Sequence, residues 1–256
     1  MSSDVLQSFP SRRKYLAATM ALIRFMRNKE DTAQAFRFFD ATCGPRTEKN
    51  FARYAASPEG QQRIEENTNL AVILSDRDRL LALPPTTLGG AYQRFMDAEG
   101  LSAQGFVDIE REAGVDLLRL EPARRQFMTT GIQLHDIYHI ILGYGRDFVG
   151  EACNLAFTAT QLDLSFLTVL SKIVGVKEKL IYPHLPVFAC IREAEEIGRN
   201  GVWTLDQDWN TLLDMELSEV RRTLNIPELD VYPKFSSTFE VVDAERREKL
   251  EQALAA

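Results

Sequence analysis

The chain has 256 residues, of which 45% are apolar and 26% charged, a composition that excludes a disordered chain and allows a substantial core. Its formal net charge of −7 excludes broad capture of nucleic acid, which needs a basic surface to neutralise phosphates. Cys43, Cys153 and Cys190 lie far apart without a C-x-x-C pair, which predicts a reducing, cytoplasmic environment and neither a disulfide framework nor a thiolate metal site. The longest apolar stretch, residues 162–176, is interrupted by charges and is too short to cross a bilayer.

The N-terminal segment contains Ser-Arg-Arg-Lys-Tyr-Leu at residues 11–16, a pattern similar to a twin-arginine export signal. We exclude an export signal because Arg24 interrupts the apolar run and no A-x-A-like cleavage site follows. The apolar residues recur instead at helical spacing, which predicts an amphipathic helix through Leu16, Met20, Ile23 and Met26. Residues 12–29 contain six basic residues and no acid. Two interpretations therefore stay open: an ordinary packed first helix, or a helix that rests on an anionic membrane surface.

Helical periods and capping residues continue along the chain, whereas strand-like alternation bounded by hairpin turns is nearly absent. Asp31 and Ser57 are predicted N-caps, and the proline pair at residues 84–85 ends one helix because proline lacks the backbone donor. The glycine pair at residues 89–90 lets the next helix approach another backbone closely. Further predicted helices cover residues 69–81, 121–142, 148–174, 186–199 and 206–224. The sequence therefore predicts an all-α, multi-helix bundle that forms a single domain over residues 1–256.

The strongest chemical signal is His-Asp-Ile-Tyr-His at residues 135–139, followed after eleven residues by Glu151. At about 100° and about 1.5 Å per residue, His139 lies about 40° around a helix from His135 and about 6 Å along it. Asp136, about 100° around from His135, is expected to share this side of the helix, and apolar residues cover the other side, so the polar stripe is expected to face inward. Buried imidazoles and carboxylates are unfavourable unless they are paired or bind a metal.

The connection after this helix is rich in glycine between residues 143 and 150, so the chain can reverse and bring Glu151 to the histidine pair from an antiparallel helix. An internal metal site is then predicted, with the ligands His135, Asp136, His139 and Glu151. Two nitrogens and two carboxylates without a thiolate suit Zn²⁺, Fe²⁺ or Mn²⁺, and Mg²⁺ stays open. Positions left for water or a substrate oxygen would allow Lewis-acid or, for iron, oxygen chemistry.

The alternative is that both histidines are ordinary core residues that pair with acids, but two histidines one turn apart with two acids favour the metal. A zincin needs His-Glu-x-x-His, and Asp136 is one methylene shorter, so peptidase activity is not expected. Phosphohydrolases of the HD type have a further upstream histidine, and none precedes His135. We expect Asp147 to cap the helix of the glutamate, His184 to be a loop residue and Cys153 to be inert.

The pattern His-Asp-x-x-His, eleven residues and Glu resembles the signature of the coenzyme-Q biosynthesis protein 4 family. The segments Leu-Pro-Pro-Thr-Thr-Leu-Gly at residues 83–89 and Glu-Leu-Ser-Glu-Val-Arg-Arg at residues 216–222 extend the resemblance over about residues 80–226. Residues 127–134 depart from the arginine-rich approach expected in the family, which favours a bacterial paralogue. The ligand positions of the family are all filled, by His135, Asp136, His139 and Glu151.

The resemblance implies a helical fold with a hydrophobic channel for a polyisoprenoid tail and a divalent metal ion beside the aromatic head. It implies ubiquinone biosynthesis by oxidative decarboxylation, in which the ring carboxylate of a polyprenylated hydroxybenzoate is replaced by hydroxyl. The expected partners are a polyisoprenoid quinone precursor, other ubiquinone-biosynthesis proteins and the inner face of a membrane as a peripheral surface, and a homodimer stays open. The competing hypothesis is a non-enzymatic prenyl-lipid-binding organiser of a ubiquinone biosynthetic complex. A third hypothesis is a metal-dependent hydrolase of another lipid.

Overall fold

The computed structural model describes residues 15–27, 44–66, 70–101 and 120–255, together with residues 34, 37, 41 and 68. This part of the chain contains thirteen helices and no extended sheet, which confirms the all-α prediction. No helix within it is both long and apolar enough to cross a membrane. Asp31 and Cys43 lie outside the described residues. The helices are α1 (Tyr15–Arg27), α2 (Pro45–Ala56), α3 (Pro58–Glu66), α4 (Leu70–Leu74), α5 (Arg77–Ala82), α6 (Leu88–Ala98), α7 (Pro122–Leu142), α8 (Phe148–Gln161), α9 (Ser165–Ile181), α10 (Val187–Asn200), α11 (Trp209–Asp214), α12 (Leu217–Thr223) and α13 (Val231–Ala255).

Three segments that were predicted as single helices are each two helices in the structure, namely residues 69–81, 148–174 and 206–224. Between α4 and α5, Asp76 starts a new helix by accepting a hydrogen bond from the backbone N–H of Arg79 at 3.2 Å. Between α8 and α9, Asp163 adopts a positive φ of 49°, which a continuous α-helix does not contain. Between α11 and α12, Glu216 forms an isolated β-bridge with Thr87. The three breaks are thus marked by a helix cap, a left-handed residue and a tertiary contact, respectively. The apolar pattern of the sequence continues across each break and therefore does not reveal it.

Helix α8 packs against both α9 and α10 in the core. The hydroxyl of Ser171 in α9 donates to the backbone carbonyl of Ala152 in α8 at 2.8 Å. On the other side, a Cβ atom at Gly198 of α10 would lie 2.8 Å from the carbonyl oxygen of Phe157 in α8. The absence of a side chain therefore sets how closely α10 approaches α8. The buried apolar side chains form a hydrophobic cluster that contains Phe157 and Trp209.

Helix α6 is attached at its beginning to the α11–α12 connection. Leu88 donates its backbone N–H to Met215 at 2.9 Å, and Leu217 donates to Thr86 at 2.9 Å. A Cβ at Gly89 would lie 2.9 Å from the carbonyl oxygen of Leu213 in α11, so the predicted close backbone approach at the glycine pair is made to another helix. From this attachment α6 runs to the last turn of α7, where the ring of Phe95 stacks on that of His139.

Candidate metal site

Helix α7 places the two histidines one turn apart. It begins after Glu121, whose carboxylate accepts from the backbone N–H of Ala123 at 3.4 Å, and it ends at Gly143, which has a left-handed φ of 81°. The imidazole rings of His135 and His139 are perpendicular, with centroids 5.0 Å apart. Their Nε2 atoms lie 3.4 Å apart and converge on the same volume. The predicted arrangement of the histidine pair on one helix face is therefore present.

Helix α8 brings the glutamate back to this pair, as predicted from the glycine-rich connection. Asp147 caps α8, because its carboxylate accepts from the backbone N–H groups of Val149 at 2.9 Å and Gly150 at 3.0 Å. One turn later, Glu151 Oε2 lies 3.2 Å from Nε2 of His135 and 3.6 Å from Nε2 of His139. The three potential ligand atoms lie within 4.8 Å of one another and could hold a metal ion.

The surroundings of His139 orient its ring. Its Nδ1 lies 3.0 Å from the backbone carbonyl oxygen of Tyr144, so the Nδ1–H group donates there and the opposite nitrogen, Nε2, is directed toward Glu151 and His135. The ring of Phe95 in α6 stacks on the imidazole at 5.9 Å with an interplanar angle of 19°. A carbonyl acceptor at one nitrogen and a free lone pair at the other are what a metal-binding histidine requires.

Burial and charge act in opposite directions on the ionisable groups. Burial alone would lower the pKa of His135, but its hydrogen bond to Glu151 and the negative charge of that carboxylate outweigh burial and raise the pKa. Burial would raise the pKa of Glu151, but the hydrogen bonds and charges of the two histidines hold it well below its ordinary value. Arg146 adds a further cation, with its Nε 3.9 Å from Glu151 Oε1. Glu151 is therefore a carboxylate at neutral pH, which is the form that binds a cation.

Asp136 does not join the three other predicted ligands. It is buried, with 4% of its surface exposed, and the atom group within 4.8 Å contains none of its oxygens. Its Oδ2 has no hydrogen-bond partner, and burial raises the pKa of this carboxyl despite the nearby histidines. An unpartnered buried carboxylate oxygen is unfavourable unless a cation or water satisfies it. The role of Asp136 as the fourth ligand stays a prediction.

The donor set and its exposure fit a divalent ion. Two imidazole nitrogens and a carboxylate, with Asp136 nearby and without a thiolate, suit Zn²⁺, Fe²⁺ or Mn²⁺. The side chains of His135 and Glu151 are 32% and 29% exposed, whereas that of His139 is 1% exposed. The three potential ligands are thus shielded from solvent at His139 and accessible to solvent at His135 and Glu151. This arrangement would leave coordination positions open to water or substrate.

Comparison with known proteins identifies the family. The model of the family described as "Coenzyme Q (ubiquinone) biosynthesis protein Coq4" matches residues 7–230. The chain belongs to the Coq4 family. The resemblance found in the signature residues is thereby confirmed, and the match includes α7, α8 and the whole candidate site.

Individual Coq4 relatives are distant in sequence. The mitochondrial ubiquinone biosynthesis protein COQ4 homolog of Bos taurus is 28% identical over 177 residues, which cover 67% of this chain and 62% of the bovine protein. The corresponding protein of Caenorhabditis elegans is 25% identical over 198 residues, which cover 73% of this chain and 78% of the relative. The chain spans about half to three fifths of the length of the curated relatives it matches first.

A solved structure shares the fold. A crystal structure of a protein from Nostoc punctiforme PCC 73102 superposes with a TM-score of 0.60 at 21% identity and covers 85% of this chain and 100% of that chain. At this identity the likeness shows the fold of the Coq4-family chain and nothing about its chemistry. It agrees with the all-α architecture read from the sequence.

Several groups around the Coq4-family site were not found from the sequence. They are the carbonyl of Tyr144, the ring of Phe95, the guanidinium of Arg146 and the hydroxyl of Tyr232. Nothing local in the sequence indicates that Phe95 reaches a histidine in another helix. As predicted, His184 lies in the turn between α9 and α10, where it is exposed. Cys153 is fully buried, which raises the pKa of its thiol well above the ordinary value and supports the expectation that it is inert.

Proposed function

We propose that this protein is a metal-dependent enzyme of ubiquinone biosynthesis that replaces the ring carboxylate of a polyprenylated hydroxybenzoate with a hydroxyl group. The observation that supports it most is the convergence of His135, His139 and Glu151 at a partly open site in a chain of the Coq4 family. These three side chains would hold the ion, with Asp136 as the fourth ligand. No separate acid or base is assigned.

The reaction breaks the bond between the ring and its carboxyl carbon and forms a ring C–O bond. One oxygen atom of dioxygen enters the ring, the other leaves as water with two protons and two electrons from a reductant, and the carboxyl group leaves as carbon dioxide. A divalent ion held by His135, His139 and Glu151 would supply Lewis acidity to polarise the carboxylate and phenol oxygens of the ring. Arg146 lies beside the open edge with 34% of its side chain exposed, so its positive charge can attract the anionic head of the substrate.

Removal of the metal and a substitution at Glu151 test this reaction. Chelated protein is expected to release no carbon dioxide from a carboxyl-labelled prenylated hydroxybenzoate, and added Fe²⁺, Mn²⁺ or Zn²⁺ should restore release with at least one ion. Glu151→Gln should reduce the restored rate about tenfold or more, because the amide is a neutral and weaker ligand. Liquid chromatography with mass spectrometry would identify the hydroxylated ring.

Glu99→Gln is the matched control. Glu99 accepts a hydrogen bond from Arg146 at 3.1 Å, as a second carboxylate beside the same guanidinium, but it is not among the candidate ligands. A similar loss of rate in both variants would contradict the ligand role of Glu151. Binding of the prenylated ring without turnover under every ion would instead favour the lipid-binding organiser.

The same proposal includes peripheral contact with an anionic membrane. Helix α1 packs inward through Ala18 and Ala21, whereas three larger apolar residues face outward: Leu16 is 77% exposed and Met20 and Ile23 are each 47% exposed. Together with the six basic residues and no acid in residues 12–29, this outward stripe supports membrane contact by α1 more than the interpretation as an ordinary packed helix. The side chain of Met26 lies outside the described residues.

Helix α9 presents a second outward stripe at helical spacing, formed by Val169, Ile173, Val176 and Leu180. Its basic residues, Lys172, Lys177 and Lys179, keep at least part of their side chains exposed, whereas its acidic residue, Glu178, is buried. A basic border around an apolar stripe on a protein of net charge −7 complements a negatively charged lipid surface.

Vesicle flotation tests the membrane contact. The protein should bind vesicles containing anionic phospholipid and bind neutral vesicles less, since the basic residues add electrostatic attraction. The double variants Leu16→Ser with Ile23→Ser, and Val176→Ser with Leu180→Ser, should each weaken binding about tenfold through lost apolar burial. The control is Val72→Ser with Val241→Ser, which removes two valines that are 66% and 59% exposed outside both stripes. Equal binding of all three double variants would contradict the assignment of these faces.

A further inference from the structure

The hydroxyl of Tyr232 in α13 joins two points of the short loop between the helices that contain the candidate ligands. The backbone N–H of Gly145 donates to this hydroxyl at 2.8 Å. The hydroxyl in turn donates to Oδ2 of Asp147. The loop runs only from Gly143 to Asp147, so one phenol group holds its middle and its end. A side chain from another part of the chain therefore sets the shape of this loop.

Both points of attachment lead directly to candidate ligands. Next to Gly145, the carbonyl oxygen of Tyr144 faces Nδ1 of His139 at 3.0 Å and so fixes the orientation of that ring. Asp147, through its other carboxylate oxygen, caps the first turn of α8. The backbone N–H of Glu151 donates to the carbonyl oxygen of Asp147 at 2.9 Å. A movement of the loop would thus displace the imidazole and the carboxylate relative to each other.

Tyr232 is itself held rigidly. The carboxylate of Glu193 in α10 accepts from three consecutive backbone N–H groups at the beginning of α13, those of residues 230, 231 and 232, at 2.7, 3.0 and 3.2 Å. The phenol ring is 3% exposed and packs perpendicular to the ring of Tyr144, with centroids 4.9 Å apart. A carboxylate at a helix N-terminus is favourable for both its charge and its hydrogen bonds. The position of the hydroxyl is therefore determined by α10 and α13, not by the loop that it binds.

The loop of residues 143–147, the first turn of α8 and the hydroxyl of Tyr232 are packed so closely that the loop cannot move nearer to α8. A Cβ at Gly150 would lie 2.0 Å from the carbonyl oxygen of Gly145 and 2.8 Å from the hydroxyl oxygen of Tyr232. Loop, cap and phenol are thus in mutual contact at a position where only glycine fits. The contact network links α13, which contains no candidate ligand, to both helices that do.

We propose that Tyr232 is a positioning residue for the metal site, acting through Asp147 and the Tyr144 carbonyl to hold Glu151 and His139 at the spacing that a divalent ion requires. This inference rests on the proposed metal site. Groups that orient metal ligands without binding the ion typically contribute about 10-fold to 100-fold to metal affinity. The effect is expected in metal binding itself, independently of any turnover.

Tyr232→Phe tests the proposal with Zn²⁺ and Co²⁺ as probes. The variant removes one oxygen atom, so that the N–H of Gly145 loses its acceptor and Asp147 loses its donor, while the ring packing is kept. We expect the dissociation constants of both ions, measured by competition with a chelator, to rise at least about tenfold. The visible absorption of bound Co²⁺ should also shift, since it depends on the geometry of the ligands.

Tyr182→Phe is a matched control, because Tyr182 is likewise buried and likewise donates its hydroxyl to a carboxylate of α13, that of Asp243. It should lower the urea midpoint of unfolding to a similar extent but leave metal affinity unchanged. Asp147→Ser provides a second variant, since serine can still cap α8 with its hydroxyl but lacks the second oxygen that accepts from the phenol. It should also weaken metal binding at least about tenfold.

The possible results distinguish a failure of the positioning role of Tyr232 from a failure of the metal site. Weaker metal binding in Tyr232→Phe and Asp147→Ser, but not in Tyr182→Phe, would support the positioning role. Unchanged affinity in Tyr232→Phe, or an equal loss in both tyrosine variants, would overturn it while leaving the metal site intact. If the wild-type protein binds neither ion, the proposed metal site fails, and the positioning role fails with it.

Discussion

His139→Ala is expected to weaken the binding of a divalent metal ion by more than about 100-fold, a larger effect than loss of a group that only orients a ligand. The side chain of His139 is 1% exposed and lies on the closed side of the site. Its Nε2 atom is 3.6 Å from the carboxylate of Glu151, so alanine would leave the glutamate and His135 facing an empty apolar volume under Phe95. Equilibrium dialysis with Zn²⁺ and metal analysis would measure the loss.

His184→Ala is the control for this variant. His184 is the third of the three histidines in the chain and lies exposed in a turn, where it can bind metal ions weakly without forming a site. The control should keep the affinity and the stoichiometry of the wild type. If His139→Ala retained wild-type affinity, the histidines would be core residues that pair with Glu151, and the metal-dependent reaction would lose its basis.

The sequence predicted the part of the site that depends on local geometry. His135 and His139 lie four residues apart, and helical periodicity alone places them on one face. The return of Glu151 depends on a loop of five residues, which is short enough for its glycines to indicate a reversal. Asp147 was predicted as a cap for the same reason, because capping is decided within one turn.

The rest of the site depends on contacts that no local pattern contains. The hydroxyl of Tyr232 reaches Gly145 across 87 positions of sequence, and the ring of Phe95 reaches His139 from another helix. Asp136 follows His135 directly, so at about 100° per residue it points about 60° beyond His139 and outside the group of three potential ligands. A helix period defines a direction around the axis but not which neighbour lies there.

The helix breaks were missed for a related physical reason. Apolar residues continue from α8 into α9, so the pattern predicts one helix through residues 148–174. The structure ends α8 at Gln161 because that residue turns to the α10 side: its Nε2 donates to the carbonyl of Gly198 at 2.9 Å, and its carbonyl accepts from Trp203 Nε1 at 3.1 Å. These long-range hydrogen bonds, together with the positive φ of Asp163, outweigh the local preference to continue the helix.

Gly198→Ala is expected to lower the free energy of unfolding by about 3 kcal/mol, at the upper end of the range for an added methyl group in a packed interior. The new Cβ would lie 1.9 Å from Thr160 Oγ1, which can rotate away, but also 2.8 Å from the carbonyl oxygen and 3.2 Å from the Cα of Phe157, which cannot. Helices α8 and α10 would have to separate, and the hydrogen bond from Gln161 to residue 198 would lengthen. Urea unfolding followed by far-UV circular dichroism measures the change.

Gly131→Ala makes the matched comparison, because it adds the same methyl group to a helical glycine where a Cβ would meet nothing within 4 Å. Alanine is the better helix former, so this variant should be stabilised by about 0.5 to 1 kcal/mol. The two variants are expected to change the free energy of unfolding in opposite directions. The residue change and the helical conformation are the same in both, so the difference comes from the room available for the added methyl group. If Gly198→Ala were as stable as the wild type, α8 and α10 would not be in the close contact that the distances from Gly198 to Phe157 imply.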